Sequence, residues 1–152
     1  MDLKEYIRSI PDYPKKGILF RDITTLIKNE KAFAYCIDQI VEKSKQFKFN
    51  KIAAVESRGF VFASAVSYIL NKPFILLRKK NKLPAETHSV EFELEYGKAV
   101  IEVHKDSINQ DDSVIIIDDL VATGGTADAK TKPLDSTAAI LLNLKFLDLS
   151  TI

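Results

Sequence analysis

Hydrophobic positions along this chain recur in three rhythms, and each predicts a different kind of element. Over residues 29–45 the apolar side chains Phe33, Cys36, Ile37, Ile40 and Val41 return every three or four positions, forming one stripe of an amphipathic helix. Asn29 can cap it, and Lys43 and Lys45 suit its negative end. A mostly apolar helix is predicted over 60–70, stopped by Asn71 and Pro73. Unbroken apolar runs at 51–55, 74–77 and 114–117 read as strands. The last, Val114-Ile115-Ile116-Ile117, reads as buried on both faces of a parallel sheet. Strict alternation is the third rhythm. Val90, Phe92, Leu94 and Tyr96 face one way, Glu91, Glu93 and Glu95 the other, and Ala99, Ile101 and Val103 resume beyond Gly97, as in a hairpin with a tight glycine turn.

The ends are less regular. Residues 1–10 suit a short amphipathic helix with Leu3, Tyr6, Ile7 and Ile10 on one side, ended by Pro11. Residues 10–24, with Pro11, Pro14 and Gly17, read as an irregular loop whose tip, Ile18-Leu19-Phe20, is apolar. Beyond residue 126, Pro133 predicts a helix that stops near Thr131 or kinks, since an interior proline costs about 3 kcal/mol. Over 138–147, Leu142, Leu144 and Phe146 alternate with Asn143 and Lys145, which favours a strand but leaves a helix open. The strand, polar turn, helix plan occurs at 51–70 and again from 114. It predicts an α/β fold with a mostly parallel central sheet, helices on both faces, and the turns at 56–59, 78–84 and 118–126 gathered at the sheet's carboxyl edge.

Composition narrows this modestly. At 152 residues the whole chain, 1–152, is expected to be a single domain, and its 46% hydrophobic and 28% charged content is that of a soluble globular protein. A net charge of +1 provides no global field, so neither nucleic acid nor a membrane is an expected partner. The lone cysteine, Cys36, permits no internal disulfide and lies on the helix stripe, which reads as packing. His88 and His104 are too few and too separated for a zinc motif. With no signal peptide or long apolar run, the expected location is cytoplasmic.

Candidate chemistry collects on the turns. Asp118 and Asp119 stand at a strand end, followed by Ala122-Thr123-Gly124-Gly125-Thr126, small residues that let backbone wrap a ligand. A helix starting near Gly125 would aim free N–H groups into that turn as an anion site. Together these suggest a sugar phosphate, with the acids accepting from ribose hydroxyls. A strand followed by an acidic turn and a cap is the plainer reading, but caps need no paired carboxylates. No GxxxxGK[ST] occurs, which excludes a nucleoside-triphosphatase loop. In Glu56-Ser57-Arg58-Gly59, Ser57 is either a helix cap or, with the Arg58 fork, an anion holder. The run Arg78-Lys79-Lys80-Asn81-Lys82 is solvated, or reaches nucleic acid or a polyphosphate. Phe20 either plugs the core or stacks on a planar base.

Residues 114–126 resemble, throughout, the phosphoribosyl-diphosphate fingerprint of the type I phosphoribosyltransferases. Residues 11–24, PDYPKKGILFRDIT, are similar to the N-terminal base-binding loop of the members that use adenine, which most other members lack. The resemblance implies the type I phosphoribosyltransferase fold, with a small N-terminal hood over 1–28 and a flexible β-hairpin lid. It implies transfer of the 5-phosphoribosyl group from phosphoribosyl diphosphate to adenine, giving AMP and diphosphate with Mg²⁺, by a homodimer. By the same resemblance Leu19, Phe20 and Arg21 bind adenine. Asp118, Asp119, Ala122, Thr123, Gly124, Gly125 and Thr126 bind the phosphoribosyl group. Glu56, Ser57, Arg58, Gly59, Lys79 and Lys82 bind diphosphate, and Glu95 is the acid/base for the purine. Mg²⁺ is held mainly through substrate near Asp118 and Asp119. The segment after Thr126 departs from the family pattern and ends early, which bears on stability and dimer contacts more than on substrate. A sugar-phosphate-binding regulator of the same fold, or an inactive copy, would share the cradle; the base loop and Glu95 argue for the enzyme.

Overall fold

The structure, a computed structural model, describes residues 1–94, 97–118 and 144–148. In chain order the elements are β1 (Arg8–Pro11), β2 (Leu19–Asp22), α1 (Thr24–Ile27), α2 (Glu30–Ser44), β3 (Lys51–Val55), α3 (Arg58–Leu70), β4 (Phe74–Lys79), β5 (Thr87–Leu94), β6 (Gly97–His104), β7 (Val114–Asp118) and β8 (Leu144–Asp148). β1 and β2 form a small antiparallel ribbon. The others form a sheet in the order β5-β6-β4-β3-β7-β8, parallel from β4 through β8 and antiparallel where β6 joins β4 and β5.

The apolar strand runs explain why β3 and β7 lie at the centre. Val114, Ile115, Ile116 and Ile117 are all buried, odd positions serving one face and even positions the other. Ile52, Ala54, Ile115 and Ile117 pack with Ile37 and Ile40 of α2 and Phe62, Ala63 and Val66 of α3. Ala53, Val114 and Ile116 pack on the opposite face with Ile75, Leu77, Val103 and Ile108. Helices were expected on both faces; among the described residues all three α-helices pack on the first. No helix among them is long and apolar enough to cross a membrane.

Helix α2 follows its stripe closely, with the Asn29 side chain accepting from the Ala32 N–H at 3.0 Å. α3 starts at Arg58 rather than Phe60 and ends at Asn71 in the left-handed region, φ 50°. β4 runs on to Lys79, past the apolar stretch. In the β5–β6 hairpin Leu94 pairs with Gly97, so Gly97 is the first residue of a strand rather than the turn. In the stretch left open between strand and helix, residues 144–148 form β8, parallel to β7.

The N-terminus corrects the sequence reading. Instead of a helix over 1–10 there is a 3-10 turn, Leu3–Tyr6, capped by Asp2, and then β1. Distant partners override the local pattern here. Arg8 donates to Asp22, Arg21 to Ser9, and the Thr25 hydroxyl donates to the Tyr6 carbonyl at 2.6 Å. The expected irregular loop is therefore the turn of a hairpin. Asp12 accepts from the Gly17 N–H at 2.6 Å, and Gly17 takes φ 89°, where a side chain would be strained.

Topology fixes where a ligand belongs. From β3 the chain passes through α3 to β4 on one side, whereas β7 lies on the other side of β3. The carboxyl ends of β3 and β7 flank the point where strand order reverses, the usual ligand crevice of an open α/β sheet.

Candidate active site

Gly59 is where the crevice is closed most tightly. A Cβ there would lie 2.9 Å from the Ile117 carbonyl oxygen and 3.3 Å from both Asp118 Oδ1 and Ala54 Cβ. Only glycine lets the first turn of α3 approach the end of β7 so closely. The result brings the Glu56-Ser57-Arg58-Gly59 turn beside the half-buried Asp118. The turn doubles back through a cis peptide between Glu56 and Ser57, and Ser57 is exposed, with no cap bond from its hydroxyl.

The hood reaches the same turn. The Arg58 guanidinium lies 5.6 Å from the centroid of the Phe20 ring, within cation–π range, and Tyr13 meets that ring edge-on at 5.2 Å. Phe20 is half-buried and, among the described residues, belongs to neither core cluster. Its neighbours Leu19 and Arg21 are exposed, the Arg21 guanidinium donating to the Ser9 hydroxyl. β2 has only β1 beside it among the described residues, and a strand paired on one side turns alternate N–H and C=O groups outward. The ribbon is anchored by Asp22, 7% exposed, whose carboxyl sits at about 2 because of hydrogen bonds from Thr24 foremost and then from Arg8.

The basic run proves to be a pinned turn. Lys79 and Lys82 are exposed at the end of β4, near the carboxyl edge. Arg78 donates through Nε to Glu56 Oε2 at 2.7 Å and through Nη1 to the Lys82 carbonyl at 3.1 Å. Asn81, at φ 64°, donates its N–H at 2.9 Å to Glu102, a buried acid on β6. Sequence reasoning took Arg78 only as part of the basic run and passed over Glu102. The signal for Arg78 was its place directly after Leu77; Glu102 looked like one more outward position of an alternating strand.

Glu95, Asp119, Ala122, Thr123, Gly124, Gly125 and Thr126 lie outside the described residues. Of the expected groups the structure therefore brings together Phe20, Ser57, Arg58, Gly59 and Asp118, with Glu56 joined to the Lys79–Lys82 turn through Arg78. Among the described residues no three His, Cys, Asp or Glu side chains cluster as a metal cage. Asp118 offers hard carboxylate oxygens, a donor that suits a cation whose remaining ligands are substrate oxygens and water. Cys36 is buried, and burial pushes its thiol up to about 11, far from a nucleophile's range.

This crevice at a switch point, lined by a strand-end acid and a glycine-closed turn, agrees with the match of residues 22–135 to the phosphoribosyl transferase domain. The chain belongs to the phosphoribosyltransferase family and has its type I fold, a mixed sheet flanked by helices. Its relatives within the family include adenine phosphoribosyltransferases. It is 75% identical over 139 residues to that of Pelagibacter ubique (strain HTCC1062), covering 91% of this chain and 79% of the relative. The crystal structure of adenine phosphoribosyltransferase from Thermoanaerobacter pseudethanolicus aligns with a TM-score of 0.86 at 41% identity, covering 97% of this chain and 96% of that one. The APRTase of Giardia lamblia complexed with 9-deazaadenine also aligns with a TM-score of 0.86, at 31% identity, covering 97% of this chain and 82% of its own.

Proposed function

We propose that this chain transfers the 5-phosphoribosyl group of phosphoribosyl diphosphate to adenine, giving AMP and diphosphate. The observation that carries it is the junction of Phe20 with Arg58 beside Asp118, which sets an aromatic platform against an anion turn and a carboxylate. Adenine stacks on Phe20, as offset rings prefer, while main-chain groups at Leu19 and Arg21 read its edge. Asp118 and Asp119 accept from the ribose hydroxyls, and Ala122, Thr123, Gly124, Gly125 and Thr126 hold the 5′-phosphate. Amides of Ser57 and Gly59, the Arg58 fork, Lys79 and Lys82 take the diphosphate. The Glu56 carboxylate, paired with Arg78, braces that turn.

As the bond from C1′ to the diphosphate oxygen breaks, diphosphate leaves with its electron pair. A ring nitrogen of adenine forms the new bond to C1′, and the purine's ring proton passes to Glu95. Positioning and charge stabilisation supply most of the acceleration, and closure of the hairpin excludes water from the electron-poor centre. Mg²⁺ fits the few carboxylates at Asp118 and Asp119, and when bound it neutralises charge on the diphosphate.

Residues 1–152 act as one domain in this reading, with 1–28 as the hood. The exposed Tyr68 and Ile69 on the outer side of α3 support assembly as a homodimer, and the lone buried thiol suits a reducing cytoplasm. A regulator that only senses sugar phosphate is disfavoured by the similarity to named transferases. A spectrophotometric assay with magnesium tests the activity: AMP should form from adenine and phosphoribosyl diphosphate, whereas hypoxanthine and guanine should yield no IMP or GMP. No AMP from a folded sample would sink it.

A further inference from the structure

Glu102 lies on β6 directly opposite Arg78 of β4 and is only 6% exposed, unusual for a glutamate on a hairpin strand. Both carboxylate oxygens are engaged. Oε2 accepts from the Asn81 N–H at 2.9 Å, and Oε1 receives the Ser89 hydroxyl of β5 at 3.4 Å. Asn81 is the left-handed residue at the apex of the turn whose flanks are Lys79, Lys80 and Lys82. The other side of that turn is held by Arg78, which grips the Lys82 carbonyl while bound to Glu56 of the β3–α3 turn. A flexible lysine stem aims its ammonium only as well as its backbone is fixed. Two charged side chains rooted in the sheet fix this one at adjacent residues.

We infer that Glu102 is a positioning residue: its carboxylate clamps the Asn81 amide so that Lys79 and Lys82 face the same anion as Arg58. The inference rests on the proposed role of those lysines in binding diphosphate. Buried acids are costly unless hydrogen-bonded, and here the bonds hold a turn that contributes little to either core. Glu102 does not touch substrate, and its effect passes through the two lysines.

The test separates this role from plain stability. Glu102→Asp keeps the charge but withdraws it from Asn81 by roughly one methylene. It should raise the KM for phosphoribosyl diphosphate about three- to tenfold, the size of one ordinary hydrogen bond, with the KM for adenine unchanged within twofold. Glu102→Gln keeps the length and an acceptor oxygen, and should restore most of the loss. In a Lys79→Ala/Lys82→Ala background, Glu102→Asp should add nothing further. An equal rise in both KM values, or a fall in melting temperature alone, would overturn the clamp. If the lysine pair raises the KM but Glu102→Asp does not, the clamp fails and the diphosphate reading of the lysines stands. If the lysine pair itself leaves that KM unchanged, both fail together.

Discussion

The two ends of β3 and β7 are built from similar residues to opposite purposes. At their amino ends, Asp112 takes Lys51 at 2.7 Å, the Asn50 amide at 2.8 Å and the Asn109 N–H at 2.6 Å. Asn50 in turn accepts from the Ser113 N–H at 2.9 Å, and Lys51 reaches the Ser107 carbonyl at 2.8 Å. Burial would raise the Asp112 carboxyl, but these bonds outweigh it and hold it below the usual range. At the carboxyl ends the polar groups are more open: Ser57, Lys79 and Lys82 are exposed, and Asp118 and Arg58 are half-buried. One edge spends its charges on itself. The other leaves Ser57, Lys79 and Lys82 exposed to solvent, at the edge where an α/β sheet binds ligand.

Substitutions can break this contrast. Replacing both strand-end acids, Asp118→Asn with Asp119→Asn, should lower kcat about a hundredfold or more while the melting temperature moves by only a few degrees. Near-normal turnover would remove the acids from the chemistry. At the opposite edge, Asp112→Ala should cost about 2 kcal/mol in urea unfolding, because it strands Lys51 and Asn50, and should leave both KM values unchanged. Altered kinetics there would mean that the edges are not separate. Phe20→Ala should raise the KM for adenine about tenfold, and that for phosphoribosyl diphosphate much less. An equal effect on both would make Phe20 a brace for Arg58 rather than a platform.

A smaller effect sharpens the picture of the hood. The Asp22 carboxyl sits at about 2 when folded, against an ordinary 3.8. Between those values the unfolded chain takes up a proton that the folded one refuses, so stability rises with pH through that window. Its contribution is complete above roughly pH 4 and is lost as pH falls through 2. Unfolding curves of Asp22→Asn should therefore depend less on pH between 4 and 2 than those of the parent chain. Identical slopes would show that the bonds from Thr24 and Arg8 do not favour the ionised form.

Where local pattern and tertiary need coincide, the sequence is easy to read. β7 is four apolar β-formers because both its faces are covered, and α2 is a stripe because one of its faces is. The N-terminus misleads because the helical spacing of Leu3, Tyr6, Ile7 and Ile10 is overruled by the pairing of Arg8–Pro11 with Leu19–Asp22. The site divides in the same manner. Gly59 and Arg58 are legible as a turn at a strand end, and Asp118 as its neighbour in a parallel sheet. The brace from Arg78 to Glu56 joins residues 22 apart in sequence, and the burial of Glu102 depends on a turn folding over it. Neither leaves a trace in hydrophobic periodicity.

The sealed position of Cys36 has a practical outcome. Since the only sulfhydryl of the chain is shut inside the core and stays protonated at neutral pH, a maleimide dye has nothing to attack in the native protein. A single Lys80→Cys replacement would give the exposed basic turn its own fluorophore, with no background to subtract. Emission from that dye would then follow the turn in real time as the sugar diphosphate arrives.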